Sequence, residues 1–547
     1  MEMLSDTKSI LLISMPFAGT AVPSIQLPIL EGYLKERGIQ VNTRHLYLKA
    51  AEFYKIQHYH NLINHPSNSY IAQLSYIPYV FPHHWENNKK RIIEYFNNKI
   101  IGHIKNQETF NFEYYTQQTD NFYNWVIESL DWQPFDFIGF TLNYGQLLPS
   151  LVIAKKIKEL HPEKKVIFGG SRTIYPLGMK ILETFDYIDF IVSGDGEEPL
   201  YLLSSDFDNY TSIPNLMYKD KNKAVWNEKQ VTTDLQSLPP LSFDSFFEEL
   251  SQTSRDVQQY FSLYGRLPIE ISRGCWWNKC SFCNQCIIHP NYREKTVDQI
   301  VTELQILSEK YQILSFQLIG DTLLKNNYSQ LCEKIKSLQK DYQLFGEARA
   351  GQLKQNDYQR LKEAGFNHIQ TGIETFSSNY LKKINKGVRI IDNVAALKYS
   401  KECGIINSYN LIVNYPNEEK IDFEQTKKTI KYFKQFIDPP HLSPLNVEYG
   451  TTIFCNPREF NVKEFNHTQI DTLLFPKEIL DKKIAWFYET ENKRELTNNW
   501  QDLVKEWELD REQREIQAVK SNLIADKYVF YYLDGGIFLK IYDKRNN

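Results

Sequence analysis

The chain has 547 residues, 42% of them apolar and 14% aromatic, with a formal net charge of −4. That length suits roughly three domains of ordinary size, each able to bury a core, and so aromatic a composition excludes a disordered polypeptide. The slight acidity argues against a broad nucleic-acid surface, so no nucleic-acid partner is expected.

The first apolar run, SILLISMP (9–16), reads as a buried strand and is far too short to cross a bilayer. No later segment reaches about eighteen uninterrupted apolar residues, so a cytoplasmic protein without a membrane partner is expected. SIQLPILEGYLKERG (24–38) reads as a helix stopped by Gly38, and IQVNTRHLYL (39–48) as a second strand. A long insertion, about residues 50–130, carries QHYHNLINHP, YIPYVFPHHWENN and a helix RIIEYFNNKIIGHI (91–104). FDFIGFTL (135–142), KKVIFGG (164–170) and IDFIVSGDGEEPL (188–200) supply further strands, with a helix through LVIAKKIKELHP. Strands alternating with helices imply a doubly wound parallel sheet, whose ligands lie beyond the carboxyl ends of its strands. Those ends are small, polar and Gly-rich: SMP, TLNYGQ, GGSRT and SGDGEE.

Residues 203–265, with LPPLSFDSF, read as a polar, irregular linker. A second βα series begins at LPIEIS (267–272) and continues through ILSFQLIG (313–320), YQLFGEAR (342–349), HIQTGIE (368–374) and NSYNLIVNYP (407–416). Helical patterns such as VDQIVTELQILSEKY (297–311) separate them, which predicts a full or partial β/α barrel of TIM type. The tail from about 460 reads as helical in EILDKKIAWFYE (478–489) and WQDLVKEWELDREQREI (500–516), then as a hairpin, KYVFYYLDGGIFLKIYD (527–543).

The chemistry concentrates in ISRGCWWNKCSFCNQC (271–286), which holds four of the seven cysteines as C-x4-C-x2-C-x2-C. An odd, clustered set is not a secreted disulfide framework. Structural zinc takes two pairs separated by a longer loop, so ligands crowded this closely suit it poorly. Three thiolates on one loop suit three corners of a [4Fe–4S] cube, with the fourth iron left for a small ligand. Either Cys275, Cys280 and Cys283 or Cys280, Cys283 and Cys286 could form the trio. Cys332 and Cys403 sit in helical patterns and read as core; Cys455, after the last strand, reads as structural.

A cysteine trio directly after a barrel's first strand, with an aromatic before its last member (CSFC), resembles the radical S-adenosylmethionine (SAM) superfamily. The first gap is x4 rather than the usual x3, and the phrase IEISRGCWW (269–277) resembles the subfamily that matures ribosomally made peptides, which includes cobalamin-dependent C-methyltransferases. The resemblance implies that Cys275, Cys280 and Cys283 hold the cluster, that SAM chelates the open iron, and that an electron cleaves it to a 5′-deoxyadenosyl radical. It places SAM contacts at Phe282, Gly320, Asp321, Glu347, Arg349, Gly372 and Glu374, and GIETFSSNYLKKINKGV (372–388) resembles the family throughout. Acids there can accept ribose hydroxyls, and glycines admit the nucleoside.

No G-x-G-x-x-G follows the first strand and no Walker loop exists, so dinucleotides and ATP lack support in the N-terminal part. Ahead of such a barrel that part resembles a cobalamin-binding module, which implies contacts at Thr141, Gly169, Gly170, Ser171, Ser193, Gly194, Gly196 and Glu197. No Asp-x-His occurs in the chain, so cobalamin is expected without the histidine that often ligates cobalt from below. His58, His60, His83 and His84 read as surface or packing residues. The resemblance implies a cobalamin-binding-like domain at 1–205, a linker at 206–265, a radical SAM core at 266–459 and an accessory domain at 460–547, the two cofactor sites facing each other. It also implies C-methylation of an unactivated carbon, with a precursor peptide as substrate and an electron donor such as flavodoxin or ferredoxin. The alternatives are a cobalamin-binding radical SAM enzyme that cyclises or oxidises its peptide and, outside enzymes, a zinc-stapled binding protein. A methylthiotransferase would need a further cysteine trio, and no cysteine precedes Cys275.

Overall fold

Short apolar runs bounded by turn residues have little choice but to be covered strands. Ile10–Ser14 (β1), Phe137–Thr141 (β3) and Phe190–Val192 (β5) are buried at every position. With Val41–His45 (β2), Lys165–Gly169 (β4), Leu216–Asp220 (β6) and Lys223–Trp226 (β7) they form a sheet ordered β2-β1-β3-β4-β5-β6-β7. Pairing is parallel as far as β5 and antiparallel from β5 to β7. The computed structural model describes residues 7–65, 70–101, 110–221, 223–491, 496–520, 530–534 and 539–543. Two compact units emerge, Met1–Gly274 with Ile287–Ile313 and His467–Tyr488, and Cys275–Cys286 with Leu314–Asn466 and Glu489–Asn547.

In the first unit one core runs along the sheet, from Ile10, Leu12 and Val41 to Phe137, Ile167, Phe190 and Leu216. It packs against Leu27 and Leu34 of the helix Gln26–Glu36 and Leu200 and Leu203 of the helix Glu197–Ser205. The strand order reverses between β1 and β3, and in such sheets the crevice for a ligand opens beyond the carboxyl ends there. The long insertion is helical, including Ile56–Ile63, Pro82–Ile101 and Phe112–Ser129. Asn111 caps the last of these by accepting from the Tyr114 N–H at 2.9 Å. The Gly102–Ile104 end of the expected helix lies outside the described residues.

Three readings change. The second strand ends at His45, and Leu46–Phe53 is helix. Residues 203–265 are not irregular: they supply β6 and β7, and the helices Asp244–Ser251 and Arg255–Tyr264. The first of these helices packs on β2, where Thr43 Oγ1 donates to Ser245 Oγ at 2.7 Å and Glu249 accepts from the His45 N–H at 2.9 Å. The polar residues read as linker are the solvent side of amphipathic helices, visible only once the sheet gives them something to cover. EILDKKIAWFYE is not a helix; Lys477–Leu480 makes one turn and Phe487–Thr490 is strand. Its aromatics are claimed by tertiary packing, with Phe487 against Tyr70 and Tyr144.

The first unit also contains Leu267–Glu270 (β8) and a two-residue antiparallel ladder, Ser272–Arg273 (β9) with Arg293–Glu294 (β10). A capping box at Thr296 and Gln299 starts the helix Val297–Tyr311. In the second unit Ser315–Ile319 (β11), Gln343–Arg349 (β12), Phe366–Gly372 (β13) and Ile406–Ser408 (β14) pair in parallel in chain order. The expected last strand breaks at buried Tyr409; its second half, Asn410–Val413 (β15), pairs with His441–Pro444 (β16), followed by Val447–Glu448 (β17). The tail helix Thr497–Lys520 docks through two tryptophans: Trp500 donates to Glu418 Oε1 at 2.6 Å and Trp507 to the Lys434 carbonyl at 2.7 Å. Phe530–Asp534 and Leu539–Asp543 pair antiparallel as expected; the Gly535-Gly536 turn lies outside the described residues. Among the described residues no helix is long and apolar enough to cross a membrane.

Candidate active site

Cys275, Cys280 and Cys283 lie in the second unit, on a segment fastened by its own non-cysteine residues. Ser281 donates its N–H to the Ile384 carbonyl at 3.1 Å, pairs its hydroxyl with Tyr415 at 2.9 Å, and its carbonyl accepts from Ile453 at 3.2 Å. Each such buried bond contributes about 1 kcal/mol. Trp277 donates to the Asn385 carbonyl at 2.9 Å, and its ring lies against Gly387, where an added Cβ would sit 2.0 Å from the indole. Gly387 also has φ +68°, so glycine serves twice there.

The three thiols share one electrostatic field: Cys275 acts on Cys280, and Cys280 on Cys283. Burial raises the Cys280 thiol, opposed by Lys386 and Arg349, and pushes Cys283 up to about 12, with Cys280, Asp321 and Glu448 adding to it. Among the described residues no three His, Cys, Asp or Glu side chains converge as a single ion requires.

Two buried cations accompany them. Arg349, at the end of β12, is 5% exposed, reaches the Cys280 thiol and stands 4.5 Å from the Trp277 ring centroid. Lys386 Nζ pairs with Glu374 Oε1 at 2.7 Å and lies 5.8 Å from the Phe282 ring. Burial opposes the Lys386 charge, but Glu374 and Cys280 outweigh it and hold its pKa above the usual value. A Cβ at Gly372 would come within 2.6 Å of Nζ, so that glycine makes room for the pair. Glu347 is pushed up to about 7 by burial and by the neighbouring Asp321 and Glu374 charges. Gly320 and Asp321 directly follow β11.

Among the described residues, Arg349 Nη2, Asn284 Nδ2 beside Cys283, and Trp276 Nε1 are buried donors that meet no acceptor. An unanswered buried donor is costly, and sulfide, thiolate or carboxylate acceptors would satisfy it. The residues present thus fit a thiolate-held cluster with an anionic ligand at hand. The structure brings every expected cluster and SAM residue into one unit. Sequence reasoning missed Lys386, Asn284 and the second role of Trp277; the only signal was the lysine before Gly387 in a stretch already singled out.

The expected cobalamin residues lie in the first unit, at the carboxyl ends of β3, β4 and β5. Thr141 and Gly169 are in register; Thr141 Oγ1 is buried without a partner, and a Cβ on Gly169 would meet nothing within 4 Å. These two fit a large polar ligand. The others serve the chain itself. Ser171 donates to Asn143 at 3.1 Å, and Ser193 Oγ accepts from the Tyr175 N–H at 2.8 Å. Gly170, at φ +106°, is required because a Cβ would fall 2.6 Å from the Leu142 carbonyl. Gly194 has φ +96°, and Gly196 precedes the helix Glu197–Ser205. Glu197, expected to bond the corrin, is taken by Thr233 at 2.9 Å and Arg273 at 2.5 Å.

The histidines of the insertion pack as read. His60 Nε2 pairs with Thr20 at 2.8 Å while its ring stacks on Tyr260, and burial lowers it to about 4. His58 stacks on Phe110, and His84 Nε2 bonds the Leu473 carbonyl at 2.8 Å. Cys332 is in the core as expected; Cys403 is only half-buried, just past the helix Ile390–Glu402, and Cys455, read as structural, is exposed.

Residues 269–430 match the Radical SAM superfamily, and a radical SAM domain implies a [4Fe–4S] cluster and SAM. The chain is 23% identical over 413 residues to an uncharacterized methyltransferase of Pyrococcus horikoshii, covering 74% of this chain and 80% of the relative. It spans about half the length of other curated relatives it matches. Among solved structures, the cobalamin-dependent SAM radical enzyme OxsB, with aqua-cobalamin and SAM bound, superposes with a TM-score of 0.62 at 14% identity, over 95% of this chain and 68% of that one. The radical SAM methyltransferase TsrM from Kitasatospora setae, with cobalamin and a [4Fe–4S] cluster bound, gives 0.54 at 15% identity, over 82% and 77%. At these identities the likeness is one of fold.

Proposed function

We propose that the chain is a cobalamin-dependent radical SAM enzyme that C-methylates an unactivated carbon of a ribosomally made peptide, using an electron donor such as flavodoxin or ferredoxin. The observation that carries the reading is the thiol trio Cys275, Cys280 and Cys283 beside buried Lys386, paired with Glu374, and buried Arg349, whose Nη2 meets no acceptor. The fold shared with cobalamin-bound enzymes supports the corrin, and the phrase IEISRGCWW supports the peptide substrate. When bound, the cluster and SAM supply a 5′-deoxyadenosyl radical and cobalamin supplies the methyl group.

The chain's own residues bind, orient and exclude water. Cys275, Cys280 and Cys283 would hold three irons of the cluster. Arg349 Nη2, buried without an acceptor, would be free to donate a charge-assisted bond to the carboxylate of bound SAM. Glu347, pushed up to about 7 by burial and neighbouring charges, would bond a ribose hydroxyl as acceptor when ionised and as donor when protonated. Lys386 restrains Glu374 through one carboxylate oxygen, at 2.7 Å. Thr141 Oγ1, buried without a partner, would donate to the corrin periphery, and the open space at Gly169 would let it approach. No side-chain acid or base is needed for hydrogen abstraction, so the absence of a compact His/Asp/Ser set in the sequence is no obstacle.

The test is anaerobic reconstitution with iron and sulfide, with and without hydroxocobalamin, followed by SAM and a reductant. An iron–sulfur absorption shoulder, bound corrin and release of 5′-deoxyadenosine are expected. Protein that takes up no iron and leaves SAM whole overturns the reading. With a peptide substrate, a mass gain of one CH₂ is expected; loss of hydrogen without that gain points instead to ring formation, the chemistry named for the magnesium-protoporphyrin IX monomethyl ester cyclases among its relatives.

A further inference from the structure

The cysteine segment leaves and re-enters the first unit at a buried knot of charge. Arg273, two residues before Cys275, is 8% exposed and is gripped by three carboxylates: Asp195 at 3.1 Å, Glu197 at 2.5 Å and Glu270 at 2.8 Å. Arg293, beyond the segment, pairs with Asp195 at 2.5 Å and donates to the Thr233 carbonyl at 2.6 Å. Thr233 closes the ring, its N–H donating to Asp195 at 2.7 Å and its hydroxyl to Glu197 at 2.9 Å. Arg273 and Arg293 are direct partners in the β9–β10 ladder. Next to them Gly274, at φ +82°, brings the strands so close that a Cβ would sit 2.9 Å from the Asn291 carbonyl. His289 Nδ1 is 3.8 Å from Asp195, and burial lowers its pKa.

Such a knot is costly to bury unless every charge is answered, and a guanidinium is the cation shaped to answer several carboxylates at once. Its parts come from the turn after β5, which the sequence assigned to a corrin, and from both stems of the cysteine segment. We propose that Asp195 and Glu197 are positioning residues for the cluster-binding segment, fixing its two stems through Arg273 and Arg293. The proposal rests on the iron–sulfur reading above. The ladder alone has two residue pairs and could not hold a register; the charge knot sets it, and with it the separation of the ends from which Cys275 and Cys286 depart.

The test uses the full chain, purified without air. Glu197→Gln leaves two carboxylates facing two guanidiniums, so its melting temperature and hydroxocobalamin binding are expected to match wild type. Chelated iron is expected to leave the reconstituted variant roughly ten-fold faster, and the electron paramagnetic resonance signal of the reduced cluster to broaden. Arg273→Gln is expected to behave more severely and Arg273→Lys to recover part of the retention. In the iron-free chain, hydrogen exchange at residues 272–274 and 291–294 is expected to rise in both Glu197→Gln and Arg273→Gln while exchange elsewhere is unchanged. Wild-type exchange at both stems together with wild-type iron retention overturns the proposal. So does loss of hydroxocobalamin with an intact cluster, which returns Glu197 to the corrin. A wild-type chain that binds no iron sinks the functional reading, yet the exchange experiment still decides whether the knot holds the stems.

Discussion

At the scale of single residues, the site depends on a few positions where only one side chain fits. Cys275→Ala, Cys280→Ala and Cys283→Ala are each expected to remove the iron–sulfur absorption shoulder, and Cys286→Ala to keep it. The reverse pattern, with Cys286 needed and Cys275 dispensable, would move the register by one cysteine. Gly387 is the second such position. Gly387→Ala combines a left-handed backbone with a Cβ inside the Trp277 ring, and is expected to cost about 2 kcal/mol and shift tryptophan fluorescence. Gly19→Ala, with nothing within 4 Å of its Cβ, is the control and is expected to stay within about 0.5 kcal/mol on thermal melting.

At the scale of elements, the tail helix Thr497–Lys520 is held by Trp500 against a half-buried carboxyl, Glu418. Burial pushes Glu418 up to about 7, partly offset by its bonds from Trp500 and the Asn414 N–H. Because the folded pKa lies above the unfolded one, this carboxyl's contribution is fully present below about pH 4.5 and is lost as pH rises through about 7. Glu418→Gln keeps an acceptor for Trp500 and cannot ionise. Its stability relative to wild type is expected to rise between pH 5 and pH 8 by on the order of 2 kcal/mol, read by urea unfolding at each pH. A parallel pair of curves would show that Glu418 does not titrate in that window. The strand ends were legible because apolar runs with Gly-rich termini have one reading. Residues 203–265 were not, because amphipathic helices with Pro and Ser at their ends look polar until a sheet covers their apolar side.

At the scale of the whole molecule, the absence of any Asp-x-His makes a claim about the corrin. His60 is engaged by Thr20 and Tyr260 and His58 by Phe110. The absorption spectrum of bound hydroxocobalamin is therefore expected to stay the same in His60→Ala and across the pH range where a histidine titrates. A shift in either experiment would identify a histidine ligand that the packing does not suggest. The fold likeness to OxsB and TsrM extends over most of the chain, while the sequence identity is too low to carry a substrate.

The sequence by itself determined the parts whose meaning is local: the cysteine spacing, the CSFC aromatic, and the alternation of strands and helices, each dictated by neighbours a few residues away. Only the tertiary structure decided what depends on distant partners. Trp277 and Asn385 are 108 residues apart, and Arg273 and Glu197 are 76 apart. A carboxylate at the end of a strand has the same local pattern whether it meets a cofactor or a guanidinium. Glu197 turned out to face the latter because the fold returns the stem of the cysteine segment to the turn after β5, and no spacing rule encodes that meeting.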